Sequence, residues 1–231
     1  MSTTFVIWIN LLISFYINLF KKIPLAKKTE QRILVAALTC FNETGYFNVI
    51  LKQIADSANM SVGNMVYHYP HKVELLHVFL KEWINREQLL LTDLHLTPIF
   101  ENFDNFLQAT FNLQQQYKFI YLDQLELIRQ DIKIKECIQD YFQSQQDQLE
   151  ILLSLYLARG VLRIKDQDIA YIALKVRRII NNWLRQQFIE GNSNITAKAF
   201  QLDIWSELKH YFTEIGLAEY RETTILAQHK T

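Results

Sequence analysis

The sequence predicts an all-helical protein. Only five glycines and three prolines interrupt its 231 residues, and apolar residues make up 50% of the chain. Leu, Ile, Gln and Ala recur at intervals of three and four residues through most of its length. This is the period of helices that each bury one face, so a chain of packed helices is expected. The length allows one large domain or two small ones.

The stretch from Leu51 to Lys72 predicts two short helices joined by a tight turn. Asn59 lies at the turn, and asparagine is one of the few residues other than glycine that adopts a left-handed conformation. Ser61 is a favourable N-cap, so the second helix is expected to begin at Val62. This arrangement is typical of a helix-turn-helix, whose second helix enters the DNA major groove. The apolar side chains of the first helix share one face: Leu51, Ile54, Ala55 and Ala58.

The second helix is expected to have distinct faces. Val62, Asn64 and Tyr67 should face outward, whereas Met65 and Val66 should face inward. Asparagine can form two hydrogen bonds with adenine, and valine can contact the methyl group of thymine. The outward side chains are therefore candidates for contact with base edges.

These residues resemble the DNA-binding domain of the TetR (tetracycline repressor) family of bacterial transcriptional regulators. The positions that carry the resemblance keep the family's order and spacing without a gap: Ile54-Ala55, Ala58-Asn59-Met60-Ser61, Gly63-Asn64, Tyr67-His68-Tyr69 and Lys72. The sequence departs from the pattern where Val49 and Ile50 replace threonines, which leaves Asn48 as the expected cap of the first helix. Asn59 also replaces a glycine, and Val66 replaces a tyrosine.

The resemblance implies an N-terminal three-helix domain that binds double-stranded DNA. A C-terminal helical bundle for ligand binding and dimerisation is expected to follow. The break in periodicity before Pro98 predicts the boundary between them. The expected divisions are an apolar extension over residues 1–24, a DNA-binding domain over 25–91, an effector and dimerisation domain over 92–218, and a tail over 219–231.

The candidate DNA contacts lie in and around the helix-turn-helix. An earlier helix, expected from Lys27 to Asn42, supports the two helices of the motif. Side chains at its N-terminal end and at the exit of the second motif helix are expected to reach phosphates. His68 could instead be a packed aromatic, and Tyr69 is expected in the core. The full set is Lys28, Thr29, Ser61, Val62, Gly63, Asn64, Tyr67, His68, His71 and Lys72.

The distribution of charge favours a nucleic-acid partner, although the formal net charge is zero. Residues 21–86 carry nine Lys and Arg against five Asp and Glu, whereas residues 87–231 carry fifteen against nineteen. The basic surplus therefore lies with the helix-turn-helix, where phosphates would be bound. A solvated charged face could show the same imbalance.

An apolar run from Phe5 to Phe20 precedes the domain. It is shorter than the roughly 20 residues that a spanning helix needs, and no positive charge precedes it as in a signal peptide. Three interpretations stay open: a start codon placed too far upstream, a helix that covers apolar surface, or a membrane anchor. Lys21 and Lys22 follow the run, so all three keep the rest of the chain in the cytoplasm.

The periodicity predicts a long helix from Lys72 to about Leu91 and further helices over residues 100–116, 117–129, 133–158, 167–189 and 196–215, followed by a tail that frays. In the related family the last two long helices pair with a second subunit, so a homodimer is expected; an internal core helix is the alternative. These two helices carry more apolar positions than one buried stripe needs: Ile169, Ile172, Ala173, Val176, Ile180, Trp183, Leu184, Phe200, Ile204, Leu208, Tyr211 and Phe212.

No catalytic, metal or cofactor site is predicted. The residues His68, His71, Glu74 and His77 lie within ten positions, but Pro70 separates the first two and no cysteine or further carboxylate completes a ligand set nearby. Cys40 and Cys137 are expected to be buried small side chains. The aromatic residues of the central helices are mostly core, although the resemblance implies that some line a cavity for a small effector.

The sequence thus predicts a homodimeric DNA-binding regulator, a repressor in the simplest case, that responds to a small-molecule effector. One alternative is a regulator tethered to a membrane through Phe5 to Phe20. The other is a helical interaction protein whose first domain no longer binds DNA.

Overall fold

The computed structural model describes residues 28–94, 97–193 and 195–228. Within these ranges the chain forms eleven α-helices and one 3-10 turn, and it contains no strand. The all-helical prediction is confirmed. The apolar run from Phe5 to Phe20 lies outside the described residues. In the part that the structure does describe, no helix is both long enough and apolar enough to cross a membrane.

The helices follow one another with short connections. A 3-10 turn, Asp166–Asp168, precedes the ninth helix. In chain order the helices are α1 (Lys28–Thr44), α2 (Leu51–Ser57), α3 (Val62–His68), α4 (Lys72–Asp93), α5 (Phe100–Gln116), α6 (Lys118–Leu122), α7 (Gln124–Gln130), α8 (Ile132–Ala158), α9 (Ile169–Ile189), α10 (Ala197–Lys209) and α11 (Glu214–Gln228).

The described residues divide into two compact units. We call residues 28–41 and 49–75 the head, and residues 42–48 and 76–228, without the gaps given above, the body. The predicted domain limits stay predictions, since these units are defined by packing and the predicted limits by sequence pattern.

The head has a small apolar core made by one face of each of its first three helices. On α1 the apolar residues Ile33, Ala37 and Phe41 recur at helical spacing, and all three are buried. Buried side chains of α2 and α3 complete the core: Ile54, Ala55 and Met65. The small Ala55 is fully buried, as expected where two helices approach closely.

The body has a core rich in aromatic rings. Trp205 of α10 is buried and lies within about 5 to 6 Å, between ring centroids, of Phe100, Phe103, Phe212 and Tyr220. Its indole nitrogen donates a hydrogen bond of 2.8 Å to the carboxylate of Asp104. The aromatic residues predicted to be mostly core are therefore packed against one another, and each indole or hydroxyl needs a polar partner inside the body.

The helix predicted over residues 117–129 is instead two helices, α6 and α7. Asp123 stands between them, and its carboxylate accepts a hydrogen bond of 2.7 Å from the backbone nitrogen of Tyr46. Burial raises the pKa of Asp123, while the bond from Tyr46 favours the charged form. This contact joins residues 77 positions apart, so helical periodicity could not predict the break.

The helix predicted over residues 196–215 is also interrupted. It ends at Lys209, and the chain then pairs with the segment after α8, where the backbone nitrogen of Arg163 donates 2.8 Å to the Tyr211 carbonyl. The Thr213 hydroxyl donates to the Gly160 carbonyl at 2.7 Å. A further helix, α11, extends to Gln228 in the segment predicted as a tail, and the fraying expected there stays a prediction.

An ion pair fixes α11 within the body. Glu219 accepts a hydrogen bond of 2.7 Å from the backbone nitrogen of Phe100, at the start of α5. Its second carboxylate oxygen lies 2.7 Å from the guanidinium of Arg159, just after α8. One side chain thus satisfies an unpaired amide at a helix start and a cation, and it holds three helices together.

Most apolar positions that suggested dimerisation are buried within one chain. On α9 and α10 these are Ile172, Ala173, Val176, Ile180, Trp183, Leu184, Phe200, Ile204 and Leu208. For these residues the internal-core alternative explains the pattern. Exposed apolar side chains on the two helices lie elsewhere, at Tyr171, Phe188, Ile189 and Leu202. Cys137 is exposed, so the expectation that it would be buried is wrong.

Candidate nucleic-acid interface

A sharp turn joins α2 to α3. Asn59 has a φ of 51°. In the described part of the chain, the other residues with a positive φ are glycines. The backbone nitrogen of Met60 donates to the Ala55 carbonyl at 3.0 Å, which closes the end of α2. The predicted left-handed turn at Asn59 is confirmed.

Arg32 holds this turn and was not singled out from the sequence. Its guanidinium donates to the carbonyls of Ala58 and Asn59, the latter at 3.1 Å. These are carbonyls that the end of a helix leaves without partners inside the helix. A charged residue next to the buried Ile33 was the available signal, but only the fold shows that it reaches the turn.

The start of α2 is capped differently from the expectation. Ile50 is the N-cap, and its backbone nitrogen donates 2.8 Å to the side-chain oxygen of Gln53. The side chain of Asn48 instead donates to the Thr44 carbonyl at 2.7 Å, near the end of α1. The prediction of Asn48 as the cap is therefore wrong. An apolar N-cap is tolerated because Gln53 satisfies the first amide.

Ser61 caps α3 as predicted. Its hydroxyl oxygen accepts a hydrogen bond of 3.2 Å from the backbone nitrogen of Asn64, and its backbone is extended. The cap satisfies one of the amides that the helix start leaves unpaired. The position of the first turn of α3, and of every side chain on it, depends on this bond.

Replacing Ser61 with alanine should lower the free energy of unfolding by about 1 kcal/mol, since one amide of α3 loses its partner. Chemical denaturation followed by circular dichroism measures the change. Ser57→Ala is the matched control, because Ser57 is an exposed serine at the end of α2. Equal stabilities of the two variants would show that the Ser61 cap contributes nothing.

The outward face of α3 carries the predicted base contacts. Val62 is 41% exposed and Tyr67 is 83% exposed, and Gly63 and Asn64 are exposed between them. Met65 is fully buried and anchors the opposite face. Val66, predicted to face inward, is 39% exposed, so this prediction is wrong. A seven-residue helix buries one anchor and leaves most of its surface accessible.

The exit of α3 combines exposed and engaged polar groups. His68 is largely buried, with Nδ1 3.9 Å from a carboxylate oxygen of Glu30, as in the packed alternative. The ammonium of Lys72 donates to the Val49 carbonyl at 2.7 Å, and partial burial lowers the pKa of Lys72. His71 is exposed. Lys72 thus ties the start of α4 to the segment before α2.

The remaining candidates lie at the start of α1. Lys28 is exposed and Thr29 is half-buried there.

Tyr69, which follows α3 and was expected in the core, is half-buried. Burial together with the nearby carboxylates of Glu30 and Glu74 raises the pKa of Tyr69. The head therefore presents exposed groups of two kinds, the outward face of α3 and cationic or polar groups at helix ends.

Two family profiles match the sequence. One, described as bacterial regulatory proteins of the tetR family, matches residues 33–78, which contain the helix-turn-helix. The other, described as a bacterial transcriptional repressor and named TetR, matches residues 86–219. Neither profile describes an enzyme. No functionally curated protein matches the chain.

Solved structures share the fold at low sequence identity. A TetR-family transcriptional regulator from Marinobacter aquaeolei VT8 has a TM-score of 0.76 and 19% identity, with 86% of this chain and 98% of that chain covered. A TetR transcription regulator from Haloarcula marismortui ATCC 43049 has a TM-score of 0.62 and 16% identity, over 81% and 100%. A gamma-butyrolactone receptor described as ArpA-like has a TM-score of 0.64 and 15% identity, over 89% and 99%.

Together the two profiles cover most of the head and most of the body, and the solved structures share the fold over most of this chain. A capped helix-turn-helix at the N-terminal end and a helical C-terminal domain are the two parts of such a regulator. By the match over more than half of its length, this chain belongs to the TetR family of bacterial transcriptional regulators and is a DNA-binding protein.

Proposed function

We propose that this protein is a repressor that binds a pseudo-palindromic operator as a homodimer and is released by a small-molecule effector. The observation that carries the proposal is the outward face of α3, where Val62, Asn64 and Tyr67 are exposed on a capped and anchored helix. These exposed side chains have no packing role in the head. Their chemistry suits contact with base edges and phosphates.

A dimer follows from the size of this surface. One seven-residue helix can contact only a few base pairs, which is too little for a specific site. Two copies related by a two-fold axis would contact two half-sites about 34 Å apart on one face of the duplex. The operator should therefore consist of two inverted half-sites.

Asn64→Ala and Tyr67→Ala should each weaken binding to the operator by roughly 10-fold to 100-fold, since a well-placed base contact contributes about 1 to 3 kcal/mol. The measurement is fluorescence anisotropy with DNA from the region upstream of the protein's own gene, against an unrelated duplex. Val35→Ala is the matched control, because Val35 is an exposed apolar residue on α1. It should bind as the unaltered protein does.

The same titrations separate the proposal from its alternatives. A Lys28→Ala change should weaken binding to both duplexes and lower the slope of log affinity against log salt by about one, as expected for one lost phosphate contact. If the unaltered protein does not distinguish the upstream DNA from the unrelated duplex, a helical interaction protein becomes the better description. Light scattering should give twice the 27.5 kDa mass of one chain.

A further inference from the structure

An exposed arginine of α1 is bonded to the turn between α2 and α3. The nitrogen Nη2 of Arg32 donates to the carbonyl oxygens of Ala58 and Asn59, the second at 3.1 Å. These bonds join positions 26 and 27 residues apart in the chain. An exposed arginine in a DNA-binding domain is ordinarily a candidate for contact with phosphate. Here the guanidinium is instead engaged with the backbone of the domain itself.

The two carbonyls lie beyond the hydrogen bonds that close α2. Backbone amides in the turn donate to the carbonyls of Ile54, Ala55 and Asp56 at 2.8 to 3.1 Å. The carbonyls of Ala58 and Asn59 follow, and the guanidinium supplies donors to both. A charged donor forms a stronger hydrogen bond than a neutral one, and a cation is favourable at the carbonyl end of a helix. The side chain thus fastens the part of the turn that α2 leaves open.

The conformation of Asn59 explains why such a fastening matters. Its φ of 51° is left-handed, a conformation that glycine adopts freely and that is less favourable for asparagine. A residue persists in such a conformation where its surroundings hold it there. The bond from Arg32 to the Asn59 carbonyl is a restraint of this kind. Arg32 therefore compensates for the asparagine at this turn.

The position of the turn determines the position of α3. Ser61 follows Asn59 by two residues and caps α3 by accepting a bond of 3.2 Å from the Asn64 amide. Met65, the buried residue of this helix, anchors it at one point in the core. A helix with one anchor can pivot, so the turn must fix its start. A displaced turn would move Val62 and Asn64 away from the base edges that they are expected to contact.

We propose that Arg32 is a positioning residue for operator recognition, which contributes sequence specificity through the turn and without contacting DNA. The inference rests on the proposed binding of the outward face of α3 to an operator. It gives two cations of α1 different roles. Lys28, exposed at the start of the helix, is the expected phosphate contact and acts on any sequence, whereas Arg32 acts only where α3 must fit a particular one.

Arg32→Met keeps a side chain of similar length and removes the charge and the donors. It should weaken binding to the upstream duplex about tenfold, as expected for a lost hydrogen bond from a charged group. Binding to the unrelated duplex should change by less than about threefold, and the slope of log affinity against log salt should not change. Arg32→Lys, which keeps a charged donor, should restore most of the affinity. Gln31→Met, at the exposed neighbouring position, is the matched control and should bind as the unaltered protein does.

A second substitution tests whether Arg32 acts through the turn. Asn59→Gly makes the left-handed conformation favourable without a restraint. In that background Arg32→Met should cost about threefold or less in operator affinity, so the two changes are not additive. Equal losses in both backgrounds would show that the guanidinium acts elsewhere, and would overturn the inference.

Hydrogen exchange measures the same positioning without DNA. In Arg32→Met the backbone amides of Met60 and Asn64, which close the turn and the cap, should exchange about tenfold faster, and Arg32→Lys should restore their rates. Amides of α9 in the body should keep theirs, which shows that the variant is folded. If Arg32→Met does not fold, Arg32→Gln, which is shorter and uncharged, is used with the same expected results.

Unchanged exchange at Met60 and Asn64, normal discrimination between the duplexes by Arg32→Met, or a salt slope lower by about one would each overturn the inference. The last of these would make Arg32 a phosphate contact. If the unaltered protein itself does not distinguish the two duplexes, the proposed function fails, and the exchange rates still decide whether Arg32 holds the turn.

Discussion

Gly216→Ala should destabilise the body by about 3 kcal/mol or more, the largest effect that we expect from a single methyl group. A Cβ atom at Gly216 would lie 2.1 Å from the carbonyl oxygen of Val161 and 3.1 Å from its carbonyl carbon. The clash involves the backbone of Val161, which lies in a paired segment. Its carbonyl oxygen accepts a hydrogen bond of 3.1 Å from the backbone nitrogen of Thr213. This backbone carbonyl cannot move aside as the end of a flexible side chain would, so helix α11 would have to shift.

Thermal and chemical unfolding of the purified variant measure this effect. Gly63→Ala is the control, because a Cβ there meets nothing within 4 Å and the position lies in a helix. Gly63→Ala should leave the free energy of unfolding unchanged or raise it by up to about 1 kcal/mol, because alanine is more favourable than glycine inside a helix. A Gly216→Ala protein within 0.5 kcal/mol of the unaltered one, by order of magnitude the error of such measurements, would show that α11 does not pack against Val161 as described.

Glu87→Gln should remove a loss of stability that the unaltered chain undergoes as the pH rises from about 5 to 8. In the folded chain burial raises the pKa of Glu87 to about 7, above its ordinary value of 4.5. Below pH 4.5 the carboxyl is protonated in both states and no difference arises. As pH rises towards 7 only the unfolded chain ionises, so the folded state loses stability, and above 7 the loss is complete.

The separation of the two pKa values corresponds to about 3 kcal/mol. Because the unfolded chain is already partly ionised at pH 5, the stability of the variant relative to the unaltered chain should increase by about 2.5 kcal/mol from pH 5 to pH 8. Urea unfolding at each pH measures it. Glu82→Gln, on the same helix, should keep the original pH dependence. Parallel curves for all three proteins would mean that Glu87 is solvated or paired in solution.

A residue that lowers stability at neutral pH is typical of a functional site. The glutamine variant is therefore expected to be the more stable protein at pH 8.

The helix-turn-helix was predictable because its determinants are local. The left-handed turn at Asn59, the cap at Ser61 and the buried anchor at Met65 each depend on residues within about one helical turn, and all three are confirmed. The same is true of helix α5, whose predicted limits agree with the observed ones. Contact of the exposed α3 side chains with DNA stays a prediction.

Positions decided by distant partners were not predictable. Asp123 interrupts a predicted helix because it accepts from Tyr46, and α11 forms beyond the predicted end because Glu219 meets Arg159 and Phe100. Val66 faces outward because a helix of seven residues needs only one anchor.

By itself, then, the sequence determined the fold class, the family, the turn at Asn59 and the Ser61 cap of α3, since repeating patterns and caps act between neighbours. The tertiary structure alone decided which apolar residues of α9 and α10 are covered within one chain, and that Glu87 is sealed among aromatic rings without a cation. Burial and the pairing of charges depend on residues tens of positions apart, and no local pattern records them.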